Sequence, residues 1–291
     1  MAFRSGFVNI IGNPNVGKST LMNELVGERL SIITSKAQTT RHRILGIVNG
    51  ENFQIVYSDT PGIVKPVYRL HDSMMRSVRS AFTDADIMLY VTDVIEKSDK
   101  NSRYLDILNK SGVPVILAIN KVDLSNQVAV EMLIKEWRTL VPEAVIIPIS
   151  ALHGLNLKPL FDTILEKLPE GPVYYPDDSL TDRPERFFVA EIVREKIFRN
   201  YQKEVPYSCE VVIDSFNEAE DMVRINAIIH VARESQKGIV IGHRGEMLKK
   251  VGTQSRIDIE KFLGKKVYLG LQVKVTPDWR NNDRILKKFG Y

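Results

Sequence analysis

The sequence is poor in cysteine and lacks long apolar runs. Only one of its 291 residues is a cysteine, Cys209, so no internal disulfide and no cysteine-based zinc cluster can form. No apolar run approaches the roughly 18 residues that span a bilayer, and the first residues lack the apolar segment of a secretory signal peptide. Internal repeats and low-complexity tracts are also missing. We therefore expect a cytoplasmic protein made of ordinary globular domains.

Charge is divided unevenly along the chain. The net charge is +4, with −1 on residues 1–180 and +5 on residues 181–291. Residues 231–291 alone carry +8. A basic C-terminal third indicates a polyanionic partner, either nucleic acid or a lipid surface. Charge alone would fit a merely solubilising face equally well.

Hydrophobic patterning indicates two domains. Up to about residue 168, helical patterns alternate with strand-like runs at 7–11, 44–48, 53–58, 87–92, 113–119 and 145–149. This alternation predicts an α/β domain whose mostly parallel sheet has helices on both faces, with 44–48 at an edge. The order then becomes helix, two strands, two helices, strand and a short helix at 279–288, which predicts a smaller α+β domain. We place the domains at 1–170 and 186–291, joined by a proline-rich, acidic linker at 171–185.

One segment predicts a phosphate site. Gly12–Ser19 fits G-x-x-x-x-G-K-[ST] between a predicted strand and a predicted helix. Backbone N–H groups of such a loop turn toward phosphate oxygens, Lys18 reaches the β- and γ-phosphates, and the Ser19 hydroxyl holds Mg²⁺. The predicted nucleotide contacts here are Gly12, Asn13, Asn15, Val16, Gly17, Lys18, Ser19 and Thr20.

A second segment identifies the base as guanine. Asn120, Lys121 and Asp123 follow a predicted core strand in the order N-K-x-D. A carboxylate at Asp123 can accept both N1–H and N2–H₂ of guanine, a donor pair that adenine lacks. We expect Asn120 to bond the base N7 and brace the phosphate loop, and the Lys121 stem to pack on the base. Ser150, Ala151 and Leu152 follow the next strand, where the Ala151 N–H could donate to guanine O6.

Two further loops complete the predicted nucleotide site. Asp59 ends a strand and opens the sequence D-T-P-G, so it could hold Mg²⁺ through water while the Gly62 N–H contacts the γ-phosphate. Thr40 is the favoured second hydroxyl for Mg²⁺, with Thr39 as the competing choice. Lys18, Thr40 and Gly62 are therefore the expected catalytic residues for hydrolysis of GTP to GDP and phosphate.

The order of these motifs resembles the P-loop GTPase superfamily, and the stretch Lys36–Arg43 is similar to that of the Era family of bacterial GTPases. Ile63 follows Gly62 where Ras-like GTPases have a glutamine that orients water, and the Era family shares a hydrophobic residue there. We therefore expect slow intrinsic turnover. In related GTPases with Pro-Asn in the phosphate loop, the asparagine helps to bind K⁺, which makes Asn15 a candidate K⁺ ligand.

The basic C-terminal region contains a G-x-x-G sequence, Gly242-His243-Arg244-Gly245. With the surrounding order of helices and strands it resembles a type II KH module, whose G-x-x-G loop clamps the backbone of single-stranded RNA. The predicted RNA contacts are Ile239, Ile241, Gly242, His243, Arg244, Gly245 and Lys249, with Lys250 nearby.

GTPase, acidic linker and KH module in that order resemble the Era family over essentially the whole chain. The resemblance implies binding of the 3′ end of small-subunit (16S) ribosomal RNA, a role in small ribosomal subunit assembly, peripheral association with the inner membrane and no obligate oligomer. Two alternatives remain at this stage. The chain could be an RNA-binding module that uses GTP mainly as a structural ligand, or a related GTPase whose second domain docks a protein.

Overall fold

The computed structural model describes residues 2–96 and 102–291. The chain forms two compact units, the first comprising Met1–Lys65 and Met74–Asp182 and the second comprising Pro66–Ser73 and Arg183–Tyr291. Each unit has its own sheet.

The first unit is built on a six-stranded sheet in the order β2-β3-β1-β4-β5-β6. Its edge strand β2 runs antiparallel to β3, and the other pairings are parallel. The mostly parallel sheet predicted from the alternating pattern is thus confirmed. The strands are β1 (Arg4–Gly12), β2 (Ile44–Gly50), β3 (Phe53–Asp59), β4 (Ile87–Asp93), β5 (Val115–Asn120) and β6 (Val145–Pro148).

Helices connect these strands, and the central strands are buried on both faces. Every residue of β4 and β5 is buried, which explains why these strands read as continuous apolar runs. The helices are α1 (Lys18–Val26), α2 (Arg69–Thr83), α3 (Ser102–Asn109), α4 (Gln127–Leu140) and α5 (Leu157–Lys167). The loops after β1, β3 and β5 all lie at the carboxyl ends of these parallel strands, where open α/β sheets bind ligands.

Most of the proline-rich segment lies against the first unit. The Gln54 amide oxygen accepts hydrogen bonds from the backbone N–H groups of Tyr174 at 2.7 Å and Tyr175 at 3.0 Å. The N–H of Ile47 on β2 donates to the Leu180 carbonyl at 2.9 Å. Residues 171–182, predicted as linker, are therefore held along the strands of the first unit.

The second unit packs helices on one face of a three-stranded sheet, ordered β7-β8-β9. β7 is antiparallel to β8, and β8 is parallel to β9. Its core joins apolar residues of the helices Glu185–Asn200, Glu234–Ile241 and Glu246–Leu263 to inward residues of the strands. The elements are α6 (Glu185–Asn200), β7 (Glu210–Glu218), β8 (Met222–Val231), α7 (Glu234–Ile241), α8 (Glu246–Leu263), β9 (Lys266–Val275) and α9 (Asp283–Lys288).

The predicted terminal helix is interrupted. A short 3₁₀ turn covers Trp279–Asn281, and α9 begins at Asp283. The Asn282 side chain accepts hydrogen bonds from the N–H groups of Arg284 and Ile285, so it caps a new helix instead of continuing an old one. In the described part of the chain, every helix is too short or too polar to cross a membrane.

Candidate nucleotide site and nucleic-acid interface

The phosphate loop forms one wall of a pocket of about 360 Å³. The loop connects β1 to α1, and Gly17 has the left-handed φ of 95°. A Cβ on Gly17 would lie 2.2 Å from the Asn120 side-chain nitrogen, so only glycine fits there. Of the predicted residues, those lining this pocket are Asn15, Gly17, Lys18, Ser19, Thr20, Thr40, Gly62 and Lys121.

Lys18 is held inside the loop. Its ammonium group donates to the carbonyls of Asn13 at 2.7 Å and Gly12 at 3.1 Å. Burial lowers the pKa of Lys18 to about 8, against the opposing charges of Asp59 and Glu96. A buried cation whose hydrogen bonds within the described residues go to carbonyls favours an anionic ligand in the adjoining pocket.

Ser19, Thr40 and Asp59 form a tight cluster beside Lys18. The hydroxyls of Ser19 and Thr40 share a hydrogen bond of 2.8 Å, and Ser19 donates to Asp59 Oδ2 at 2.7 Å. Asp59 is fully buried, and within the described part of the chain its Oδ1 has no hydrogen-bond partner. Burial raises the pKa of Asp59, although Lys18 and the hydroxyls oppose this. Two hydroxyls and a carboxylate with a spare buried oxygen are the hard oxygen ligands that suit Mg²⁺.

Thr39 also lines the pocket, but its hydroxyl is not part of this cluster. Its hydroxyl bonds the Thr34 hydroxyl at 2.6 Å and the Lys36 carbonyl at 2.7 Å. The structure therefore brings Thr40, and not Thr39, to Ser19 and Asp59. Gly62 packs against the other side of the phosphate loop, where an added Cβ would lie 2.7 Å from the backbone of Pro14.

Asn120 joins the base-recognition loops to the phosphate loop. Its side-chain nitrogen donates to the Val16 carbonyl at 2.8 Å. Its oxygen accepts from the N–H groups of Lys121 at 2.8 Å and Ala151 at 2.9 Å. The predicted bracing role thus matches the geometry, whereas the Ala151 N–H, predicted to donate to guanine O6, here donates to Asn120.

Lys121 spans the phosphate loop. Its ammonium group donates to the Asn15 carbonyl and to Asp93 Oδ2, both at 2.6 Å. Asp93 was missed in the sequence, although it ends β4, next to the strand that carries Asn120. The position of Asp93 at the end of a strand is the feature from which it could have been predicted. These bonds fix the ammonium end of Lys121, whose aliphatic stem is the part predicted to pack on the base.

Asp123 is oriented by Ser150. The Ser150 hydroxyl donates to Asp123 Oδ1 at 2.5 Å, and His153 Nε2 lies 3.7 Å from Oδ2. The carboxylate thus keeps an oxygen facing the partly exposed side of the loop. Leu152 is 74% exposed, which leaves its side chain available to a ligand.

The G-x-x-G loop connects α7 to α8 in the second unit. Gly242 and Gly245 have φ angles of 73° and 80°, and Arg244 between them has φ 48°. A Cβ on Gly242 would lie 2.7 Å from the Met247 side chain. His243 and Arg244 are exposed at the tip of this tight turn, where a nucleic-acid backbone can approach their charges.

A groove of about 390 Å³ runs from this loop between α8 and β9. Of the predicted RNA contacts, only Gly245 and Lys249 line it. Ile241 packs instead against the core, and Ile239 is exposed on α7. The groove residues that the sequence reading missed are Leu248, Gly252, Thr253, Arg256, Leu269 and Leu271. Their spacing of three and four residues on the helix and of two residues on the strand could have predicted that they share one face.

Comparison with known proteins identifies the family. A family model described as 50S ribosome-binding GTPase matches residues 7–121, and one described as KH domain matches residues 204–280. GTPase Era of Syntrophus aciditrophicus (strain SB) is 47% identical, over 99% of this chain and 95% of its own. The chain belongs to the Era family. It is therefore a GTPase, and its second unit carries a KH domain.

Two solved Era structures share the whole architecture. One is an Aquifex aeolicus Era variant bound to GDP and AlF₄⁻, and the other is Era in complex with MgGDPNP and nucleotides 1506–1542 of 16S ribosomal RNA. Each is 42% identical to this chain, covers 99% of both chains and has a TM-score of 0.95. These likenesses confirm the predicted fold class, an α/β GTPase domain followed by a smaller KH domain.

Proposed function

We propose that this GTPase is a switch whose nucleotide state controls binding of the 3′ end of small-subunit ribosomal RNA to the KH domain, and that it acts in small ribosomal subunit assembly. The observation that carries the nucleotide half is the buried cluster of Ser19, Thr40 and Asp59 beside Lys18. The RNA half is supported by the groove at the G-x-x-G loop and by the related Era that was solved with 16S ribosomal RNA.

Mg²⁺ fits the residues present. Ser19 and Thr40 would hold it through their hydroxyls and Asp59 through water, and the spare Asp59 Oδ1 supports this assignment. Bound there, the ion would neutralise charge on the β- and γ-phosphates. The related Era structure with MgGDPNP is consistent with this donor set.

The chain itself would stabilise the charge that develops on the phosphates. Backbone N–H groups of the phosphate loop and the Lys18 ammonium group would face the phosphate oxygens, and the Gly62 N–H would face the γ-phosphate. Ile63 is buried and has no group that can orient water. We therefore expect slow turnover when the protein acts alone.

K⁺ is the candidate that would add positive charge at this site. The Asn15 side-chain nitrogen donates to the Ser35 carbonyl at 3.1 Å, so it already contacts the segment that leads to Thr40. A cation could take oxygen ligands from both. Turnover measured in KCl and in NaCl at equal ionic strength tests the idea, and equal rates would remove K⁺ from the proposal.

Binding of 16S ribosomal RNA is tested at the G-x-x-G loop. Gly245→Asp places a carboxylate where a phosphate would lie, and we expect RNA affinity to fall at least tenfold. Gly264→Asp is the matched control, because Gly264 has the same left-handed backbone at the other end of α8 and also has open space around its Cα. Equal RNA binding by both variants would contradict the proposed RNA site.

The switch itself is tested by loading. Wild-type protein is titrated with the 3′-terminal RNA after loading with GDP or a non-hydrolysable GTP analogue, and phosphate release is followed with and without that RNA. We expect tighter RNA binding in the GTP-like state. Identical RNA affinity in both states would exclude nucleotide control.

We also propose that the protein acts in the cytoplasm as a monomer and associates peripherally with the inner membrane. The supports are the family resemblance and the net charge of +8 on residues 231–291, which suits anionic lipid surfaces as well as RNA. Cell fractionation with a salt wash tests the location. A protein found only in the soluble fraction at low salt would exclude the membrane association.

A further inference from the structure

The KH sheet has a second face that the helices do not cover. Along β9, Val267 and Val273 are buried toward the core, and the alternate residues Tyr268, Gln272 and Lys274 are exposed. On the neighbouring strand β8, the outward residues Arg224 and Asn226 are exposed as well. We name this surface the open sheet face and define it by Arg224, Asn226, Lys266, Tyr268 and Gln272.

This face combines an aromatic ring with positive charge. Tyr268 is 55% exposed, although a tyrosine ring would bury apolar area if it had a partner within the fold. Arg224 lies beside it on the neighbouring strand in direct register. On β8 and β9, both of which are described in full, no outward position carries a carboxylate. The β8–β9 part of this face is therefore complementary to a polyanion, whereas the third strand, β7, carries the exposed carboxylates of Asp214 and Glu218.

The remaining groups on this face are hydrogen-bonding amides on a flat surface. The Asn226 side chain donates to the Ser215 hydroxyl at 2.9 Å and lies across Gly270, where an added Cβ would meet its oxygen at 2.3 Å. A side chain at position 270 would therefore interrupt the surface. Flat sheets with exposed aromatic and basic residues suit unstacked bases of single-stranded nucleic acid.

The other end of the same face is already occupied by the chain. The rings of His230 and Phe289 are 4.7 Å apart, and the Trp279 ring lies 5.6 Å from Phe289. The C-terminal residues thus cover the His230 end of β8. The end that carries Arg224 and Tyr268 is left open.

The open sheet face is continuous with the groove at the G-x-x-G loop. β9 is the edge strand, and its residues Leu269 and Leu271 line that groove. Successive side chains of a strand point to opposite faces, so Tyr268 lies on the other side of the same edge. An RNA strand that leaves the groove reaches Tyr268 by passing around the edge strand β9 to the opposite face of the sheet.

We propose that the open sheet face is a second contact surface for single-stranded RNA, which takes the nucleotides adjacent to those in the groove. Tyr268 stacks on a base, and Arg224 and Lys266 face the phosphates. The inference rests on the proposed RNA-binding function and extends it by a second surface.

The test compares two RNA lengths on the full chain. One RNA has about four nucleotides, the number that a KH loop clamps, and the other has about twelve, both from the 3′ terminus of 16S ribosomal RNA. We expect Tyr268→Ala to weaken binding of the long RNA about fivefold or more and to leave the short RNA unaffected. Tyr268→Phe keeps the ring and is expected to bind as wild type.

Charge and folding are controlled separately. Arg224→Gln is expected to weaken the long RNA and to reduce the salt dependence of its binding, whereas Lys203→Gln, at an exposed loop position, is the matched control without effect. Equal melting temperatures for the variants exclude a folding defect. Ultraviolet crosslinking of wild-type protein to the long RNA is expected to mark the peptide that contains Tyr268.

The outcomes separate the two proposals. If Gly245→Asp weakens both RNAs while Tyr268→Ala and Arg224→Gln bind the long RNA as wild type does, the open sheet face is not an RNA surface and the groove stands. If Gly245→Asp changes neither RNA, the proposed RNA-binding function fails together with this inference. The absence of any crosslink at Tyr268 itself, with crosslinks found only at groove residues, would also overturn the role of Tyr268.

Discussion

Removal of the Ser150 hydroxyl is expected to weaken guanine nucleotide binding without changing which base is preferred. Ser150 is buried, and its hydroxyl donates to Asp123 Oδ1 at 2.5 Å. In Ser150→Ala the carboxylate loses the group that fixes its orientation, but it keeps both oxygens as acceptors for guanine. The variant therefore loses the positioning of the Asp123 carboxylate but keeps the acceptor atoms that recognise guanine.

The magnitude follows from the environment of the pair. A hydrogen bond to a charged group contributes about 1.5–3 kcal/mol. The Asp123 side chain is 24% exposed, so water replaces part of that bond, and about 1–2 kcal/mol is lost from binding. This corresponds to a GDP dissociation constant about 5- to 30-fold higher.

Asp123→Asn replaces an acceptor with a donor opposite the guanine donor pair, so we expect about a thousandfold loss of affinity for GDP and a gain of affinity for xanthosine diphosphate.

The assay is titration of a fluorescent GDP, competed by unlabelled GDP and by xanthosine diphosphate. Ser80→Ala is the matched control, because its exposed hydroxyl contacts only the Ser77 carbonyl of its own helix. The reasoning is refuted if Ser150→Ala binds GDP like Ser80→Ala. It is refuted equally if Asp123→Asn keeps the wild-type preference for GDP.

Three further predictions use pairs of similar positions or a pH series. Gly17→Ala is expected to abolish nucleotide binding, because its Cβ would lie 2.2 Å from Asn120. The control Gly27→Ala is at a φ of 78° but has open space around it, and it is expected to lose only about 1 kcal/mol of stability. Equal GDP affinity of the two variants would contradict this. Thr40→Ala is expected to reduce GTP hydrolysis at least tenfold and Thr39→Ala much less, since only Thr40 reaches Ser19; steady-state phosphate release checks it, and equal rates would exclude the assignment. Burial lowers the pKa of His230, the nearby charge of Lys274 lowers it further, and Glu210 opposes the shift. The unfolded chain therefore binds more protons below pH 6.5 than the folded chain does. The stability of the fold is expected to fall as the pH drops through that value. Melting temperatures of wild type and His230→Gln from pH 7.5 to 5.5 test this, because the variant is expected to show the smaller decline.

Much of the fold could be predicted because its strands are buried on both faces. β4 and β5 are continuous apolar runs, and runs of this kind between helical patterns fit few other arrangements. Boundaries set by single polar contacts could not be predicted. The break before α9 depends on the Asn282 cap, and asparagine is also common within loops. The attachment of residues 171–182 uses scattered bonds such as those of the Gln54 side chain, whose partners are more than a hundred residues away.

The nucleotide residues were predictable to the extent that their positions follow strand ends. Asp59 and Asn120 end strands and carry motifs with fixed spacing. Asp93 also ends a strand, but a lone aspartate has no motif, so its bond with Lys121 was found only in the structure. In the KH domain the G-x-x-G loop was predictable, but its groove was not. Ile241 was assigned to the groove and packs in the core, because an apolar residue beside a loop gives no sign of which side it faces.

The contacts of Asn120 and Lys121 determine how mutations at this site must be interpreted. Asn120 donates to the Val16 carbonyl, and Lys121 donates to the Asn15 carbonyl, so both base-recognition residues brace the phosphate loop. Truncation of Asn120 would leave the Val16 carbonyl and the Ala151 N–H without their bonds inside the protein, each at a cost of about 1–3 kcal/mol. Lost affinity in such a variant would therefore combine a displaced phosphate loop with a lost base contact. Asp123 has no such bond to the phosphate loop among the described contacts, and this makes it the residue at which recognition of the base can be measured on its own.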